Sequence, residues 1–355
     1  MSTLHTPLKM GDLKLANRMI MAPLTRTRAG RTHIPNALMA EYYAQRASAG
    51  LIFTECTMVA EDASAFIGEG GIFSDETVAG WKHVTDAVHA KGGKIAMQLW
   101  HPGRAAHSGI NGVPPISSSA KAIDSTTHTL RGKEAYEVPR VLATEELPGI
   151  VALFKQAAER AKAAGFDAVQ VHGAHGYLVD QFLRDSLNDR SDRYGGSLEN
   201  RARLLLEVVD AVTSVFGAGR VGVRISPLVP FNDMSDSNPK ALVEYVAKQL
   251  DARKLGHFEV RHDQHDRPAE IELAKIAREH FKGTLLLNGG FDQASGEAAI
   301  ASGLADGIVY GKLFIANPDL VERFATQNPP LNALDMGALY VPGAKGYTDY
   351  PPMAA

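Results

Sequence analysis

Short runs of apolar residues alternate along the chain with longer segments in which apolar residues recur every three or four positions. The short runs predict strands at residues 19–24, 51–54, 94–99, 168–172, 221–225, 258–260, 284–287 and 307–309. The longer segments predict helices at residues 84–89, 150–164, 198–215, 239–251, 270–281, 294–302 and 313–324. Because alternating strands and helices form parallel sheets, and eight such units close into a barrel, we predict a (β/α)₈ TIM barrel as a single domain over residues 1–355. An open doubly wound sheet is the alternative, although it normally has fewer strands.

Residues at the ends of the predicted helices agree with this pattern. Ser197 can cap the helix that follows it, with Glu199 in the first turn, where the helix dipole favours an anion. Pro239 lies near the start of a helix, where its missing N–H costs little. Gly165 follows a helix at a position suited to a left-handed C-terminal cap.

One interval, residues 101–140, departs from the alternation of strands and helices. It is rich in Pro, Gly, Ser and Thr and follows the third predicted strand. Loops of this length are usually functional lids, small subdomains or disordered segments. Because it would leave the catalytic end of the third strand, we predict a lid or hairpin over the site.

Composition narrows the class of protein. The 355 residues are 45% hydrophobic and 22% charged, as in soluble globular proteins. The net charge is −3 without basic or acidic blocks, so we expect neither nucleic acid nor a membrane as a partner. The single cysteine, Cys56, excludes an intramolecular disulfide and favours a reducing compartment. With no signal-peptide pattern and no apolar run of about 18 residues, we expect a cytoplasmic protein.

The run from His172 to Tyr177, His-Gly-Ala-His-Gly-Tyr, directly follows the fourth predicted strand. Side chains at this end of a barrel strand project into the mouth of the barrel. Two imidazoles and a phenol can bind an anionic oxygen and deliver a proton. Two alternatives remain open, a pair of hydrogen-bonded core histidines and half of a zinc site. The sequence offers no Cys pair and no His-Glu-x-x-His pattern to complete a zinc site, so we predict no metal.

Two glycine-containing segments, Leu287-Asn-Gly-Gly-Phe291 and Val309-Tyr-Gly-Lys312, follow the seventh and eighth predicted strands. Barrels often bind phosphate on these two loops, because glycine lets backbone N–H groups approach an anion closely. Glycines after strands also occur as simple turns. The chain has no dinucleotide-binding fingerprint after its first strand and no P-loop, so a bound nucleotide would place its phosphate on these loops.

Single polar residues stand at or near the same ends of other strands. They are Thr25, Cys56, Gln98 and Arg224. Each alone is more often structural than catalytic, and their shared location is what makes them candidates. An arginine in an apolar strand is costly unless it meets an anion or several acceptors.

Segments spread over essentially the whole chain resemble the old yellow enzyme family of FMN-dependent ene-reductases. They are residues 17–26 (NRMIMAPLTR), 41–50 (EYYAQRASAG), 98–104 (QLWHPGR), 172–177 (HGAHGY), 193–201 (RYGGSLENR), 315–320 (IANPDL) and 346–351 (GYTDYP). Thr25 stands where a second branch of the family carries Cys. The chain therefore resembles the branch that includes the bacterial nitroester and morphinone reductases.

The resemblance implies a barrel that holds one non-covalent FMN at its mouth. The residues implied to bind FMN are Pro23, Thr25, Cys56, Gln98, Arg224, Gly290, Gly311 and Lys312. Within this set, Thr25 would lie near flavin O4, Gln98 at the pyrimidine edge and Arg224 at the N1–C2 carbonyl region. The residues implied to line the substrate pocket are Phe66, Trp100 and Tyr347.

The resemblance also implies a reaction in two halves. NAD(P)H reduces the flavin and leaves, and an α,β-unsaturated carbonyl compound or nitroalkene then binds over the flavin. Its oxygen would accept hydrogen bonds from His172 and His175, flavin N5 would give hydride to the β-carbon, and Tyr177 would protonate the α-carbon. Nitro compounds and nitrate esters are further possible substrates.

Several positions depart from the family pattern. Lys312 replaces the usual Arg, Cys56 a common Ala and Phe66 a substrate-lining Tyr, while residues 258–267 differ from the usual segment after the sixth strand. These differences concern substrate preference more than reaction class. Two alternatives stay open, another FMN barrel such as a 2-hydroxyacid oxidase and a flavin-binding protein without turnover.

Overall fold

A computed structural model describes residues 3–326 and 330–353. Eight parallel strands form a closed barrel and are numbered here in chain order. They are β1 Met19–Met21, β2 Leu51–Met58, β3 Ile95–Trp100, β4 Ala168–Gly173, β5 Val221–Ile225, β6 His257–Arg261, β7 Thr284–Asn288 and β8 Gly307–Tyr310. Each strand pairs with the next, and β8 closes the barrel on β1, with Ile308 opposite Met19. The predicted TIM barrel is confirmed.

Helices follow the strands on the outside of the barrel. They are α1 Ala37–Ala44, α2 Asp75–Ala90, α3 Leu147–Ala163, α4 Leu198–Phe216, α5 Pro239–Ala252, α6 Pro268–His280, α7 Gln293–Ala301, α8 Lys312–Ala316 and α9 Leu320–Phe324. Two further short helices, Ser108–Asn111 and Leu178–Leu183, lie within loops. The apolar faces of the helices around the barrel pack against its outer face and form the main hydrophobic core.

The predicted helix ends are confirmed. Ser197 Oγ accepts a hydrogen bond from the backbone N–H of Asn200, Pro239 is the first residue of α5, and Gly165 has φ 87°. The single helix predicted at 313–324 is wrong, because the chain forms two short helices there. Pro318 lies between them, and a proline both lacks an N–H and disfavours helical geometry in the residue before it.

An antiparallel hairpin of strands Leu8–Met10 and Leu13–Leu15 precedes the barrel. The sequence pattern did not predict it. Its four leucine and methionine side chains are buried, and they cluster with residues inside the barrel such as Phe53, Ala96 and Leu286. The hairpin therefore covers the N-terminal end of the barrel, and the C-terminal end of the strands forms the mouth.

The excursion at residues 101–140 contains an antiparallel hairpin, with strands Thr126–Thr129 and Gly132–Ala135, while its role as a lid over the site stays a prediction. Its residues Ile123 and Tyr136 pack in a small cluster that also holds Trp100 and Tyr177. The excursion therefore packs against Trp100 and Tyr177 beside the mouth of the barrel. Among the described residues, no helix combines the length and apolarity that crossing a membrane requires.

Candidate active site

A cavity of about 710 Å³ opens at the C-terminal ends of the barrel strands. Every predicted site residue except Trp100 and Tyr347 lies in its wall. These wall residues are Pro23, Thr25, Cys56, Phe66, Gln98, His172, His175, Tyr177, Arg224, Gly290, Gly311 and Lys312. Residues far apart in sequence meet here because parallel strands deliver their C-terminal ends to the same face of the barrel.

His172, at the end of β4, is buried and presents an N–H donor. Burial, followed by the charge of Arg224, lowers its pKa well below the ordinary value, so the ring is neutral at pH 7. The backbone N–H of Ala174 donates to Nδ1 at 3.3 Å, so Nδ1 is the unprotonated nitrogen. The ring proton of the neutral imidazole is therefore on Nε2.

His175 and Tyr177 complete the cluster. The His175 ring centroid lies 5.6 Å and the Tyr177 centroid 5.0 Å from that of His172. His175 has a left-handed backbone (φ 56°), held because Ser226 Oγ accepts from its N–H and the Asn232 amide donates to its carbonyl. Burial lowers the pKa of His175 and raises that of Tyr177 well above its ordinary value. The phenol therefore keeps its proton throughout the neutral pH range.

A continuous chain of hydrogen bonds runs across the barrel interior beneath the cavity. Gln98 Nε2 donates to Gln170 Oε1 (2.7 Å), and Gln170 Nε2 donates to Glu259 Oε2 (2.8 Å). From the other side, Arg224 Nε donates to Glu259 Oε1 (2.7 Å) and Arg224 Nη2 donates to Asn288 Oδ1 (3.0 Å). All five side chains are buried, so the buried charge of Arg224 is paired and its fork is fixed in place.

Thr25 and Cys56 lie side by side in the cavity wall. The register of β2 against β3 shifts between Phe53 and Cys56, and this irregularity places Cys56 opposite Gln98. The Thr25 hydroxyl and the Cys56 sulfur are 3.0 Å apart. Burial raises the pKa of the thiol, so Cys56 is a neutral wall residue. The predicted position of Cys56 just beyond its strand is wrong, since β2 extends to Met58.

The loops after β7 and β8 form the far end of the cavity. Gly289 (φ 144°) and Gly290 (φ 80°) adopt backbone conformations that favour glycine. A Cβ at Gly290 would have only His265 Nδ1, at 3.9 Å, as a neighbour within 4 Å, so this loop borders open space. Gly311 and Lys312 face the same space from the start of α8. This arrangement fits the predicted phosphate-binding role.

Trp100 and Tyr347 do not reach the cavity wall. Trp100 packs edge-on against Tyr177, with ring centroids 5.2 Å apart, and supports it from behind. Tyr347 stacks on Tyr42 at 3.9 Å, and the guanidinium of Arg28 lies 4.7 Å from its ring centroid. Direct contact of these two residues with substrate stays a prediction.

The sequence analysis did not identify several residues that line the cavity. Asn288 and Arg261 end β7 and β6, while Phe231 and Tyr340 are exposed aromatic residues at the rim. Arg261 carried a usable signal, because like Arg224 it is an arginine at the end of an apolar strand. Phe231 and Tyr340 carried none, since they lie on irregular loops.

The residues present fit an FMN molecule. Gln98 Oε1 is a buried acceptor without a hydrogen-bond partner among the described residues, as the pyrimidine edge of a flavin would require. Arg224 is held in the same wall by Glu259 and Asn288, and the loop of Gly290 borders open space. The cavity volume lies within the usual range for small-molecule sites.

Comparison with known proteins assigns the class. A family model described as the NADH:flavin oxidoreductase / NADH oxidase family matches residues 3–330, and the chain belongs to this family. The protein is therefore an FMN-dependent oxidoreductase with a nicotinamide as reductant, which confirms the predicted enzyme class and cofactors.

Relatives place the chain more closely. It is 46% identical over 354 residues to the "Probable flavin mononucleotide-dependent alkene reductase" of Leishmania infantum, covering 97% of this chain and 96% of that protein. It is 44% identical over 359 residues to 12-oxophytodienoate reductase 1 of Oryza sativa subsp. japonica, covering 98% and 92%.

Solved structures agree with these relatives. Morphinone reductase superposes with a TM-score of 0.94 at 42% identity, covering 99% of this chain and 96% of that one. The old yellow enzyme homologue from Zymomonas mobilis superposes with a TM-score of 0.95 at 41% identity, covering 98% and 99%. The predicted old yellow enzyme resemblance is confirmed.

Proposed function

We propose that the protein uses NAD(P)H to reduce carbon–carbon double bonds that are activated by a carbonyl or nitro group. Two relatives are named for the reduction of an alkene and of 12-oxophytodienoate, which supports this reaction class. The observation that carries the proposal is one cavity wall in which two neutral imidazoles and one protonated phenol converge beside a flavin-sized space. Bound FMN supplies the redox step by accepting two electrons from the nicotinamide and passing them to the substrate.

His172 and His175 bind and polarise the substrate oxygen. The Nε2–H of neutral His172 donates to this oxygen, and His175 lies close enough to act on the same atom. Both rings are neutral, so they stabilise the negative charge that develops on the oxygen without forming an ion pair in the ground state. One such donor is worth about 3 kcal/mol of transition-state stabilisation.

Tyr177 holds the proton that the substrate carbon receives. Its raised pKa keeps the hydroxyl protonated, and Trp100 behind it and His172 beside it fix the direction of the ring. A positioned general acid contributes roughly 10²–10⁴-fold to a rate. The largely apolar surroundings of the phenol keep bulk water from competing as the donor.

Anaerobic stopped-flow absorption spectroscopy tests the proposal. Reduction by NADH and by NADPH should bleach the flavin, and 2-cyclohexenone should restore its colour. Bleaching without reoxidation by any enone or nitroalkene would exclude this reaction class.

The Tyr177→Phe variant should slow reoxidation by roughly 10²-fold or more and leave flavin reduction nearly unchanged, because only the second half-reaction needs the proton. Tyr340→Phe removes a phenol from the exposed rim of the same cavity and serves as the matched control. Equal slowing in both variants, or equal slowing of both half-reactions, would exclude Tyr177 as the acid.

The His172→Ala variant tests the oxygen site without turnover. A para-substituted phenol that binds over the oxidised flavin should bind about 100-fold more weakly, because its oxygen loses a donor. Unchanged phenol affinity would remove His172 from the oxygen site.

A further inference from the structure

Arg261 occupies the C-terminal end of β6 and forms part of the cavity wall. In the β6–β7 register it lies opposite Asn288, the residue directly before Gly289 and Gly290. The segment that follows Arg261 folds over this loop, since the backbone N–H of His265 donates to the carbonyl of Gly289 at 2.9 Å. Arg261 therefore stands beside the glycine loop of β7, next to Asn288, which also accepts a hydrogen bond from Arg224.

The positive charge of Arg261 has no partner in the described part of the chain. No ion pair within 4.0 Å and no hydrogen bond involves its guanidinium, and Nη1 is buried without an acceptor. Burial and the nearby charge of Arg224 lower its pKa to about 10, so the group stays protonated at pH 7. Arg261 is only partly buried, but its buried Nη1 lacks an acceptor, and a bound anion can supply one.

The acidic residues around Arg261 are bound elsewhere. Glu259 binds Arg224 (2.7 Å), Asp263 binds Arg267 (2.7 Å), Asp292 accepts from the N–H of Ser295 (2.8 Å), and Glu270 accepts from the N–H of Asp263 (2.7 Å). None of these carboxylates lies within ion-pair distance of Arg261 in the described structure. Glu259, Asp263 and Glu270 act on the charge of Arg261 only from beyond ion-pair distance, so direct contact with an anion is left to a bound molecule.

Lys312 is a second cation in the wall of this cavity, and its side chain is exposed. It lines the cavity at the start of α8, and no ion pair or hydrogen bond of its ammonium occurs among residues 3–326 and 330–353. A lysine offers a phosphate a compact point charge, whereas a guanidinium offers a planar fork that can bind two oxygens. Two unpaired cations facing one glycine-bordered space form a phosphate-binding pair.

We propose that Arg261 is the second cation of the FMN phosphate site and supplies, from β6, the guanidinium contact that Lys312 does not. The proposal rests on FMN as the cofactor and makes a claim about its phosphate alone. It predicts that Arg261 contributes to the affinity for FMN and contributes nothing to the affinity for riboflavin, which has the same ring and ribityl chain but no phosphate.

The test compares flavin release from the full-length protein loaded with FMN or with riboflavin. Stepwise dilution, followed by the fluorescence of the released flavin, gives both dissociation constants. Arg261→Leu should weaken FMN binding roughly 10- to 100-fold, the range for loss of a charge-assisted hydrogen bond, and leave riboflavin binding unchanged. Arg261→Lys should recover part of the loss, and added salt should weaken FMN binding less in Arg261→Leu than in the wild type.

The matched control is Lys275→Leu, which removes one positive charge from the exposed face of α6. It should leave both dissociation constants unchanged. If Arg261→Leu weakens FMN and riboflavin by the same factor, the residue acts on the flavin or on the fold, and the inference is overturned. Unchanged FMN affinity in Arg261→Leu also overturns it, with the cofactor assignment intact. If the wild-type protein binds no FMN, both the proposed function and this inference fail.

Discussion

Replacement of Glu259 by leucine should expose the role of the buried network beneath the cavity. The Glu259 carboxylate has no solvent exposure, and the side chain of Arg224 is only 5% exposed. Glu259→Leu removes the acceptor of the 2.7 Å bond from Arg224 and of the 2.8 Å bond from Gln170. Arg224 keeps its bond to Asn288 but loses its counter-charge. Because breaking a buried ion pair from one side leaves an uncompensated charge, we expect the free energy of unfolding to fall by about 3–5 kcal/mol.

Urea unfolding followed by far-ultraviolet circular dichroism measures this loss. The matched control is Glu272→Leu, because Glu272 forms a 2.7 Å ion pair with Lys240 in which both side chains are about half exposed. An exposed pair of this kind is worth at most about 1 kcal/mol. If Glu259→Leu lowers the free energy of unfolding no more than Glu272→Leu does, Glu259 is not the counter-charge that stabilises buried Arg224. Glu259→Leu should also weaken FMN and riboflavin binding alike, in contrast to Arg261→Leu, because Gln98 and Arg224, which the network holds in place, would contact the ring that both flavins share.

Two further predictions concern the barrel itself. Burial raises the pKa of Glu55 to about 7 from an ordinary value of 4.5, so its proton stabilises the fold below pH 4.5 and this contribution is lost as the pH rises through 7. Between pH 4.5 and 8, the free energy of unfolding of the wild type should therefore fall by about 3 kcal/mol relative to that of Glu55→Gln. Urea midpoints that change with pH by the same amount in both proteins would contradict the raised pKa. A Cβ on Gly222 would overlap the imidazole of His257, so Gly222→Ala should cost about 1–3 kcal/mol in urea unfolding. Gly149 lies in α3 with open space around it, so Gly149→Ala should instead stabilise the fold slightly. An equal loss of stability in both variants would refute the packing argument.

The barrel could be predicted from the sequence because each of its strands is a short apolar run bounded by polar or glycine residues. The same regularity located most of the cavity wall. Residues such as Gln98, His172 and Arg224 are polar exceptions near the end of an apolar strand, and parallel topology brings all such ends to one face. The N-terminal hairpin was missed because its strands are only three residues long.

Residues on irregular segments could not be placed in this way. The sequence did not indicate that Tyr347 stacks on Tyr42 of α1, away from the residues that line the cavity. Trp100 is the last residue of β3, two positions after Gln98. Its ring packs against Phe66 and Tyr177 and does not line the cavity. Such packing depends on contacts between segments far apart in sequence, which no local pattern encodes.

The polarity of the buried network follows from a single residue. A carboxylate only accepts hydrogen bonds, so Glu259 obliges Gln170 to turn its NH₂ group toward it. Gln170 then offers its oxygen to the next side chain, and Gln98 must donate its own NH₂ group to that oxygen. The oxygen of Gln98, which lines the cavity, is left without a donor in the described part of the chain. Through these two hydrogen bonds, Glu259 determines that Gln98 presents an acceptor to the cavity, which an N–H donor of a ligand can satisfy. Arg261 and Lys312 present positive charge to the cavity, which an anion can satisfy. A flavin ring joined to a phosphate satisfies both requirements at once.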